Sequence, residues 1–338
     1  MNFPPRLVYT LFTAALAGLL AGPVAVSATD DSISLNITEW TVPWPDTRPR
    51  DPDLAPDGSI WLVGQTGHYL AHFDPGTGEF KRLELPPGTG PHNVIVDTDD
   101  TLWVAGNLKG WIGQVDPETG AIQLHAMPLE QAKDPHTLVF NDQDQIWFTV
   151  QWGNYIGRLE KTSGEIRLAE VPTPKARPYG IKLDSAGRPW VALLGTNALA
   201  SVNPESFAVT EYRLPRKDAR PRRVAVTSDD RVWYVDYAQG YLGRLNPATG
   251  EIKEWKIPGG ASGPYAMASD AKGRIWFFET RKQPNQLVGF DPGTERFFIT
   301  APVPSGGGSV RHMVYDAQRN SLWFGTDSNR LGQARLPD

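Results

Sequence analysis

Residues 145–159 read QIWFTVQWGNYIGRL, and residues 231–245 repeat the same arrangement as RVWYVDYAQGYLGRL. Each segment places a tryptophan in a short apolar stretch, continues through a polar turn and ends in an apolar residue followed by Gly-Arg-Leu. Seven units of the chain carry this tryptophan, at intervals of 42 to 47 residues: Trp61, Trp103, Trp147, Trp190, Trp233, Trp276 and Trp323. A repeat of this length is typical of the four-stranded blade of a β-propeller.

Most units contain four segments with the length and composition of β-strands. The first segment opens with a proline and a large polar residue, as in Pro91-His92, and ends at a turn rich in Asp, Ser and Gly, as in residues 184–187. The tryptophan segment comes second, and the third carries a glycine after an apolar residue. A turn with Pro and Gly, such as residues 246–250, leads into an alternating fourth segment. We therefore predict an all-β fold, a seven-bladed β-propeller with four-stranded blades.

The two ends of the chain complement each other. After Trp323 only the segment from Arg330 to Leu336 remains, which is enough for a third strand but not for a fourth. Residues 37–43, ITEWTVP, have the pattern of a fourth strand with no blade before them. We therefore expect the N-terminal strand to complete the last blade, which would close the ring and protect its edges.

The composition of the chain excludes several classes of function. Its 338 residues carry a net charge of −5 and no polybasic run, so we expect no nucleic-acid partner. The chain has no cysteine, which excludes disulfides, thiolate metal ligands and cysteine nucleophiles. A globular protein with many short elements fits the 30 prolines and 33 glycines spread along its length.

The first 28 residues differ from the repeats. Arg6 precedes an apolar run from Leu7 to Leu20, and small residues follow up to Ala28. This order predicts a signal peptide over residues 1–28, followed by a single propeller domain over residues 29–338. Because the apolar run is shorter than the roughly 20 residues that a membrane span needs, we expect a periplasmic or secreted protein with no membrane span after cleavage.

A ring of large polar and aromatic residues is expected at one mouth of the central channel. Each of these residues stands eleven positions before a repeated tryptophan, at the start of an innermost strand: Arg50, His92, His136, Tyr179, Arg222, Tyr265 and His312. Arginine suits carboxylate, phosphate or a developing oxyanion, and a narrow mouth strengthens its field. The sequence therefore predicts a polar or anionic small molecule as the ligand.

Acidic residues are expected near the same mouth. Regular antiparallel pairing would place the third residue after each tryptophan opposite the mouth residue of the same blade. Asp236 would then lie opposite Arg222. The same pairing would place Glu279 opposite Tyr265. Asp134 lies on the approach to the third innermost strand. Histidine and carboxylate suit Mg²⁺ or another divalent cation, although the sequence has no HExxH or EF-hand spacing.

The repeated sequence of the blades resembles that of a known family. The segments at 145–159 and 231–245, together with ARPYGI at 176–181, GPHNV at 90–94 and the first strand at 37–43, resemble the streptogramin B lyase family, also called virginiamycin B lyase. The resemblance extends over essentially the whole mature chain. It implies a monomeric seven-bladed propeller in which Mg²⁺ and a histidine base open the ester linkage of a cyclic depsipeptide by elimination. A base that removes a proton next to a carbonyl, with a cation on the enolate-like charge, is sound chemistry for this reaction.

The resemblance carries over to individual positions of the last two blades. His312 stands in the place of the family's base histidine. Val310 and Thr326 stand where the family has two glutamates, and Tyr265 stands where it has a further histidine. The positions that the resemblance assigns to Mg²⁺ thus lack their carboxylates.

Three functions stay open at this point. The leading hypothesis is an exported, streptogramin-lyase-like propeller that binds a polar or anionic ligand at the channel mouth, with metal-assisted carbon–oxygen lyase chemistry left open. The second is a non-catalytic periplasmic ligand-binding or scaffold propeller, and the third is a metal-dependent lactonase or hydrolase. The candidate residues are, as bases, His312 and His136; as ligand contacts, Arg50, His92, Tyr179, Arg222 and Tyr265; and, as ligands of Mg²⁺, Glu279, Asp236 and Asp134.

Overall fold

The computed structural model describes Met1 and residues 35–338, and the latter lie within one compact unit, Ile33–Asp338. Apart from Met1, the predicted signal peptide over residues 1–28 lies outside the described residues. Within this part of the chain, 28 strands form seven four-stranded antiparallel sheets, which confirms the predicted seven-bladed β-propeller. The one helix described is a 3₁₀ turn, Glu130–Ala132, and no described helix is long and apolar enough to cross a membrane.

Six blades are each built from four consecutive strands, which run outward from the channel in chain order. Blade 1 contains β2 (Pro49–Leu54), β3 (Ile60–Gly64), β4 (Tyr69–Asp74) and β5 (Glu79–Glu84). Blade 2 contains β6 (Val94–Val96), β7 (Leu102–Gly106), β8 (Trp111–Val115) and β9 (Ile122–Ala126). Blade 3 contains β10 (Pro135–Phe140), β11 (Gln145–Val150), β12 (Tyr155–Glu160) and β13 (Ile166–Glu170).

The next three blades follow the same order. Blade 4 contains β14 (Pro178–Leu183), β15 (Pro189–Leu193), β16 (Ala198–Val202) and β17 (Val209–Arg213). Blade 5 contains β18 (Pro221–Val226), β19 (Val232–Asp236), β20 (Tyr241–Leu245) and β21 (Ile252–Lys256). Blade 6 contains β22 (Pro264–Ser269), β23 (Ile275–Glu279), β24 (Gln286–Asp291) and β25 (Arg296–Pro302). First strands of neighbouring blades contact one another and line the channel.

The last blade joins the two ends of the chain. It contains β26 (Met313–Asp316), β27 (Ser321–Gly325), β28 (Arg330–Arg335) and, as its outermost strand, β1 (Asn36–Thr41). Strand β1 pairs antiparallel with β28 along its whole length, from Asn36 opposite Arg335 to Thr41 opposite Arg330. This pairing confirms the predicted closure of the ring by the N-terminal strand.

The repeated tryptophans are buried within and between the blades. Six of the seven expose less than 2% of their surface, and Trp61 exposes 8%. Trp190 and Trp276 donate their indole N–H groups to Asp184 and Asp270 in the preceding turns, each at 2.9 Å. The Asp-containing turn therefore reverses the chain and also satisfies a buried donor, as buried polar groups require.

The glycine of the third strand follows from the same packing. Gly157 pairs with Phe148 on the neighbouring strand, and a Cβ at this position would lie 2.2 Å from the phenyl ring. Gly243 pairs with Tyr234, whose ring would be 2.1 Å from such a Cβ. An aromatic side chain thus covers each glycine, which explains why the repeat has no side chain there.

A β-bulge changes the register of the innermost strand in five blades. In blade 5 the partner of Asp236 is Pro221 and not Arg222. Glu279 likewise pairs with the proline before Tyr265. Both pairings predicted from regular alternation are therefore wrong. The reason is that a bulge sets two residues of one strand against one residue of the other, so the pairing beyond it shifts by one residue.

The closure of the ring gives a stability prediction. Trp40 of β1 stacks on Trp323 of blade 7, with ring centroids 5.5 Å apart, and lies 5.0 Å from the ring of Phe73 in blade 1. Trp40→Ala should lower the free energy of unfolding by about 2–4 kcal/mol, because it removes the aromatic contact between blades 7 and 1, which we call the seam of the ring. Urea unfolding measures the change.

Trp152→Ala is the matched control for this measurement. The Trp152 side chain is 67% exposed, so its removal should change the free energy of unfolding by no more than about 0.5 kcal/mol. Equal losses in the two variants would contradict the role assigned to the seam.

Candidate functional site

Residues that begin the innermost strands gather at one mouth of the channel. Six of the seven predicted ring residues form what we call the mouth cluster: Arg50, His92, His136, Tyr179, Arg222 and Tyr265. The ring centroids of His92 and His136 are 3.4 Å apart, and that of Tyr179 lies 4.2 Å from His136. Tyr179 and Tyr265 share a hydrogen bond between their hydroxyl groups. All members except Arg222 expose 6% of their surface or less.

Arg222 lies against aromatic rings at the mouth. Its guanidinium carbon is 3.8 Å from the ring centroid of Tyr237 and 4.5 Å from that of Tyr265. Its Nε–H is buried and has no hydrogen-bond partner among the described residues. The two rings therefore orient the guanidinium by cation–π contact, while one of its donors stays unsatisfied by the protein.

Arg50 is held by side chains of its own blade. It donates from Nε to Asp51 at 3.1 Å and from Nη1 to Gln65 at 2.9 Å. Its Nη2 is buried, and nothing in the described part of the chain accepts a hydrogen bond from it. Arg50 and Arg222 thus each bring a fixed, partly unsatisfied guanidinium to the mouth.

A second layer of polar residues lies one position further along the innermost strands. Arg223 of blade 5 donates from Nη2 to Asp51 at 3.3 Å and from Nη1 to Thr137 at 3.1 Å. Its Nε donates to the backbone carbonyl of Arg311 at 3.1 Å. These partners belong to blades 1, 3 and 7, so Arg223 crosses the channel. We call the pair of Arg223 and Asp51 the central bridge.

The sequence prediction does not include the central bridge. Asp51 directly follows Arg50, and Arg223 directly follows Arg222. In a regular strand successive side chains point to opposite faces, so Asp51 and Arg223 would point away from the mouth cluster. The bulge places two successive residues against one partner, so the second residue also reaches the interior. A signal was present in the sequence, because the position is polar in four blades where a buried strand would otherwise be apolar: Asp51, Asn93, Thr137 and Arg223.

Three guanidinium groups and one carboxylate make this region positive. Burial opposes the ionisation of Asp51, but neighbouring positive charges, that of Arg50 first, hold the pKa of Asp51 well below its usual range. Burial also opposes the charge of Arg50, yet Asp51 and the nearby phenols raise the pKa of Arg50 above its usual value. Arg222 and Arg223 add two further charges, so the positive charge is only partly compensated within the protein.

The histidines of the channel are neutral near neutral pH. Burial lowers the pKa of His92 and the pKa of His136 well below the ordinary value, and the charges of nearby arginines add to the effect. The pKa of His312 falls to about 3, chiefly through burial. A base with such a pKa takes up a proton poorly. These histidines therefore serve as hydrogen-bonding groups, as His136 Nδ1 does with the Thr137 hydroxyl at 2.8 Å.

The tyrosine pair contains two unlike phenols. Burial favours the neutral form of Tyr179, but the charges of Arg223 and Arg50 outweigh it and lower the pKa of Tyr179. Burial, together with negative charge on Tyr179, raises the pKa of Tyr265 to about 12. Tyr179 is thus the phenol that ionises more readily, with Tyr265 as its hydrogen-bond donor.

The three acids predicted as metal ligands each have other partners. Asp134 accepts hydrogen bonds from two backbone N–H groups of its own blade, at 2.6 and 3.0 Å. Asp236 forms an ion pair with Arg216 at 2.7 Å. Glu279 forms one with Lys282 at 2.5 Å, and its other oxygen is buried without a partner among residues 35–338. The structure does not bring the three carboxylates together.

His312 makes none of the ring contacts of the mouth cluster, but it lies near Asp51, whose charge partly offsets the effect of burial on the pKa of His312. It lines a separate cavity beyond the central bridge, and its Nδ1 is buried without a partner in the described chain. The two positions that the resemblance assigns to glutamates hold Val310, which is fully buried in an apolar cluster, and Thr326, whose hydroxyl bonds to the backbone of Arg330. No carboxylate of that blade therefore supports His312.

The donor set does not fit the Mg²⁺ that the resemblance implies. Mg²⁺ requires oxygen ligands in near-octahedral geometry, with carboxylates free to face it. Among the described residues, no three His, Asp or Glu side chains are arranged to hold a metal ion. Asp51, the carboxylate nearest the mouth cluster, is already bonded to two arginines.

Comparison with known proteins gives one matching family model and several solved structures with a similar fold. The sequence profile of the Virginiamycin B lyase family matches residues 24–289 and 195–334. Selenomethionine-substituted virginiamycin B lyase from Staphylococcus aureus has a similar structure, with a TM-score of 0.82 and 23% identity over 90% of this chain and 100% of that chain. A streptogramin B lyase structure gives 0.81 and 23%, over 90% and 98%. No curated protein matches the chain significantly.

A third structure contains a ligand. It is a catalytically inactive histidine-to-alanine variant of the Staphylococcus aureus virginiamycin B lyase with quinupristin, at a TM-score of 0.79 and 24% identity over 90% of this chain and 100% of that chain. At these identities the three likenesses establish a shared fold.

The lowered histidine pKa values predict a pH dependence of stability. Below about pH 6.5 each histidine of the unfolded chain takes up a proton, while the buried His92 and His136 stay neutral in the folded chain. The free energy of unfolding should therefore fall as the pH decreases below about 6.5, by about 1.4 kcal/mol per pH unit for each such histidine. Urea unfolding at about pH 7, 6 and 5 measures the slope.

Two variants assign this slope to the mouth cluster. His136→Gln should reduce the slope by about the share of one histidine, because it removes one proton-binding group of the unfolded chain. Tyr179→Phe alters the same cluster without removing a histidine, and should leave the slope unchanged. Parallel curves for the wild-type protein and His136→Gln would contradict the assignment.

Proposed function

The chain belongs to the virginiamycin B lyase family, and from the chemistry of its channel mouth we propose that it binds a small anionic ligand there. The observation that carries the proposal is a pair of buried donors, Arg50 Nη2 and Arg222 Nε, that no described residue satisfies. An unsatisfied buried donor costs about 1–3 kcal/mol, and more on a charged group. Carboxylate and phosphate oxygens are the acceptors that guanidinium groups match best.

The surroundings of the two arginines support an anion as the ligand. The whole chain has a net charge of −5, yet two guanidinium groups at the mouth contact the one buried carboxylate of Asp51. A narrow opening with low-dielectric walls focuses such a field and attracts ligands of the opposite charge. His92 Nδ1, which is buried, has no hydrogen-bond partner within the described residues and lies 3.9 Å from Asp51 Oδ2, supplies a further polar contact.

Lyase chemistry on the bound anion is the second candidate, and Tyr179 is the observation that favours it. Its pKa is lowered by Arg223 and Arg50, as a general base requires. In such a step the Tyr179 phenolate takes a proton from the carbon next to the ligand's carboxylate, the arginines hold the charge that develops, and the β carbon–oxygen bond breaks. The electron pair of the broken bond leaves on the oxygen, which then takes up a proton.

The histidine chemistry of the relative does not transfer readily to this chain. The relative with quinupristin is inactive as a histidine-to-alanine variant, and His312 is the residue that stands in the place of the family's base. Its pKa of about 3 makes it a weak base, and the described acids do not fit Mg²⁺. We therefore favour ligand binding over metal-assisted lyase or lactonase chemistry, and a binding or scaffold role remains compatible with the fold.

We further propose that the protein works outside the cytoplasm, as a periplasmic or secreted monomer. The support comes from the order of Arg6, the apolar run up to Leu20 and the small residues up to Ala28, which is typical of a signal peptide. The absence of cysteine means that an exported chain would rely on its core alone for stability. The monomeric state follows from the family resemblance.

Anion binding can be tested by isothermal titration calorimetry with citrate, glucuronate and inorganic phosphate as probes. At least one probe should bind the wild-type protein, and Arg222→Gln should weaken its binding by about 10-fold or more, since it removes a charge-assisted hydrogen bond. Arg213→Gln is the matched control, because Arg213 is exposed on the outer strand of blade 4. Absence of binding by all three probes, or equal affinities of the two variants, would contradict the proposal.

Quinupristin separates ligand binding from the two enzymatic alternatives. We expect it to stay intact with added Mg²⁺, because the described acids have other partners and the histidines are weak bases. Elimination would open its ring without a change in mass, whereas hydrolysis would add one water, so chromatography with mass spectrometry distinguishes them. Ring opening that depends on Mg²⁺ would contradict the preference for binding, and opening that is lost in Tyr179→Phe would support the second candidate.

A further inference from the structure

A cavity lies in the half of the channel that the mouth cluster does not reach. It has a volume of about 230 Å³, and the innermost strands of five blades contribute to its wall. Most of the wall is apolar, with Val94, Ile95, Leu138, Val139, Ile181 and Val314 as members. A second cavity of about 250 Å³ shares Lys182 and Val314 with the first and extends to blades 5 and 6. We call the two cavities the inner chamber.

The inner chamber is separated from the mouth cluster by the central bridge. Arg223 reaches from blade 5 to Asp51 in blade 1 and to Thr137 in blade 3, which lines the chamber. At the other end of the channel, the last residue of the innermost strand is half-buried in six blades: Leu54, Val96, Phe140, Leu183, Val226 and Ser269. In the last blade this residue is Asp316, which is buried. The chamber is therefore reached from the end opposite to the mouth cluster.

Lys182 is the cation of the inner chamber. It lines both cavities, and no arginine or second lysine of the described chain does so. Burial lowers the pKa of Lys182, and the charge of Arg223 adds to this effect while the charge of Asp53 opposes it. Asp53 acts on the amine only through its charge, because no hydrogen bond joins the two side chains. The ammonium group thus has no direct anionic partner in the described chain.

Neither of the other titratable groups of the wall forms a hydrogen bond with Lys182, and Asp53 acts on it through charge alone. Asp53 Oδ2 accepts a hydrogen bond from the backbone N–H of Val96 at 2.9 Å, which ties the carboxyl group to blade 2. Burial raises the pKa of Asp53 to about 6. His312 also lines the wall, and it is neutral near neutral pH. Near neutral pH the chamber therefore offers one amine, one largely ionised carboxylate that is bonded to the backbone of blade 2, and a neutral imidazole.

We propose that the inner chamber is a second ligand site, independent of the mouth cluster, which binds a small aliphatic carboxylate through an ion pair with Lys182. A carboxylate carries one negative charge, which matches the single amine. Its hydrocarbon chain would contact the apolar wall, where burial contributes about 25 cal/mol per Å². A phosphate dianion would need a second cation, and no other lysine or arginine among the described residues lines the chamber.

The size of the chamber limits the ligand to a short chain. Sites for drug-sized molecules measure about 300–1,000 Å³, and each of the two cavities is smaller than this range. A carboxylate with about four to eight carbons would fill one of them, since a water molecule occupies about 30 Å³ and a methylene group is of similar size. Affinity should therefore rise from acetate to hexanoate and fall for chains longer than about eight carbons.

The experiment uses hexanoate as the probe, with hexanol as its neutral analogue and isothermal titration calorimetry on the whole protein as the readout. Hexanoate should bind and hexanol should bind at least about 10-fold more weakly, because hexanol lacks the charge. Lys182→Met should weaken hexanoate binding by about 10-fold or more, whereas Lys182→Arg keeps the charge and should retain most of the affinity. Lys256→Met, on the exposed outer strand of blade 5, is the matched control.

Arg222→Gln distinguishes the two sites. It alters the mouth cluster and should leave hexanoate binding unchanged, so failure of the anion proposal for the mouth and failure of the chamber proposal give different results. Thermal unfolding confirms that each variant is folded before titration. No hexanoate binding to the wild-type protein, unchanged affinity in Lys182→Met, or loss of affinity in Arg222→Gln alone would each overturn the proposal.

Discussion

The closure of the ring is the constraint on which the rest of the structure depends. A blade buries both of its faces only when a neighbour lies on each side, and every blade has two neighbours only in a closed ring. Strand β1 supplies the missing outer strand of the last blade and pairs with β28 along six residues. Closure then fixes seven innermost strands around one axis, so the residues that begin them converge whatever their chemistry.

Convergence creates a charge problem that the central bridge partly solves. Arg50, Arg222 and Arg223 come together where little water can screen them, and burial of uncompensated charge is expensive. Asp51 lies between Arg50 and Arg223 and is fully buried, so it neutralises one charge and links blades 1 and 5 across the channel. The remaining positive charge is kept in a protein of acidic composition, which is consistent with a function for it at the mouth.

The repeat period predicted the architecture because it reflects one dominant force, the burial of an aromatic residue in every blade. The same period predicted closure and the ring residues at the mouth. It did not predict the pairing of individual side chains, because a β-bulge breaks the two-residue alternation on which the register was based. Long side chains add to the difficulty: Asp236 is neutralised by Arg216, and Glu279 by Lys282 three residues later, and neither partner follows from strand register.

Burial and basicity oppose each other in a propeller channel. The packing that brings the ring centroids of His92 and His136 to 3.4 Å from each other also removes both side chains from water, and this burial lowers their pKa values. A buried histidine keeps a useful pKa only if a carboxylate stabilises its charged form. For His312 the charge of Asp51 only partly offsets burial, and the glutamate position in its own blade holds Val310, which packs in an apolar cluster. The family architecture is therefore compatible with a change of chemistry, because the fold does not depend on the carboxylates that would keep a buried channel histidine basic.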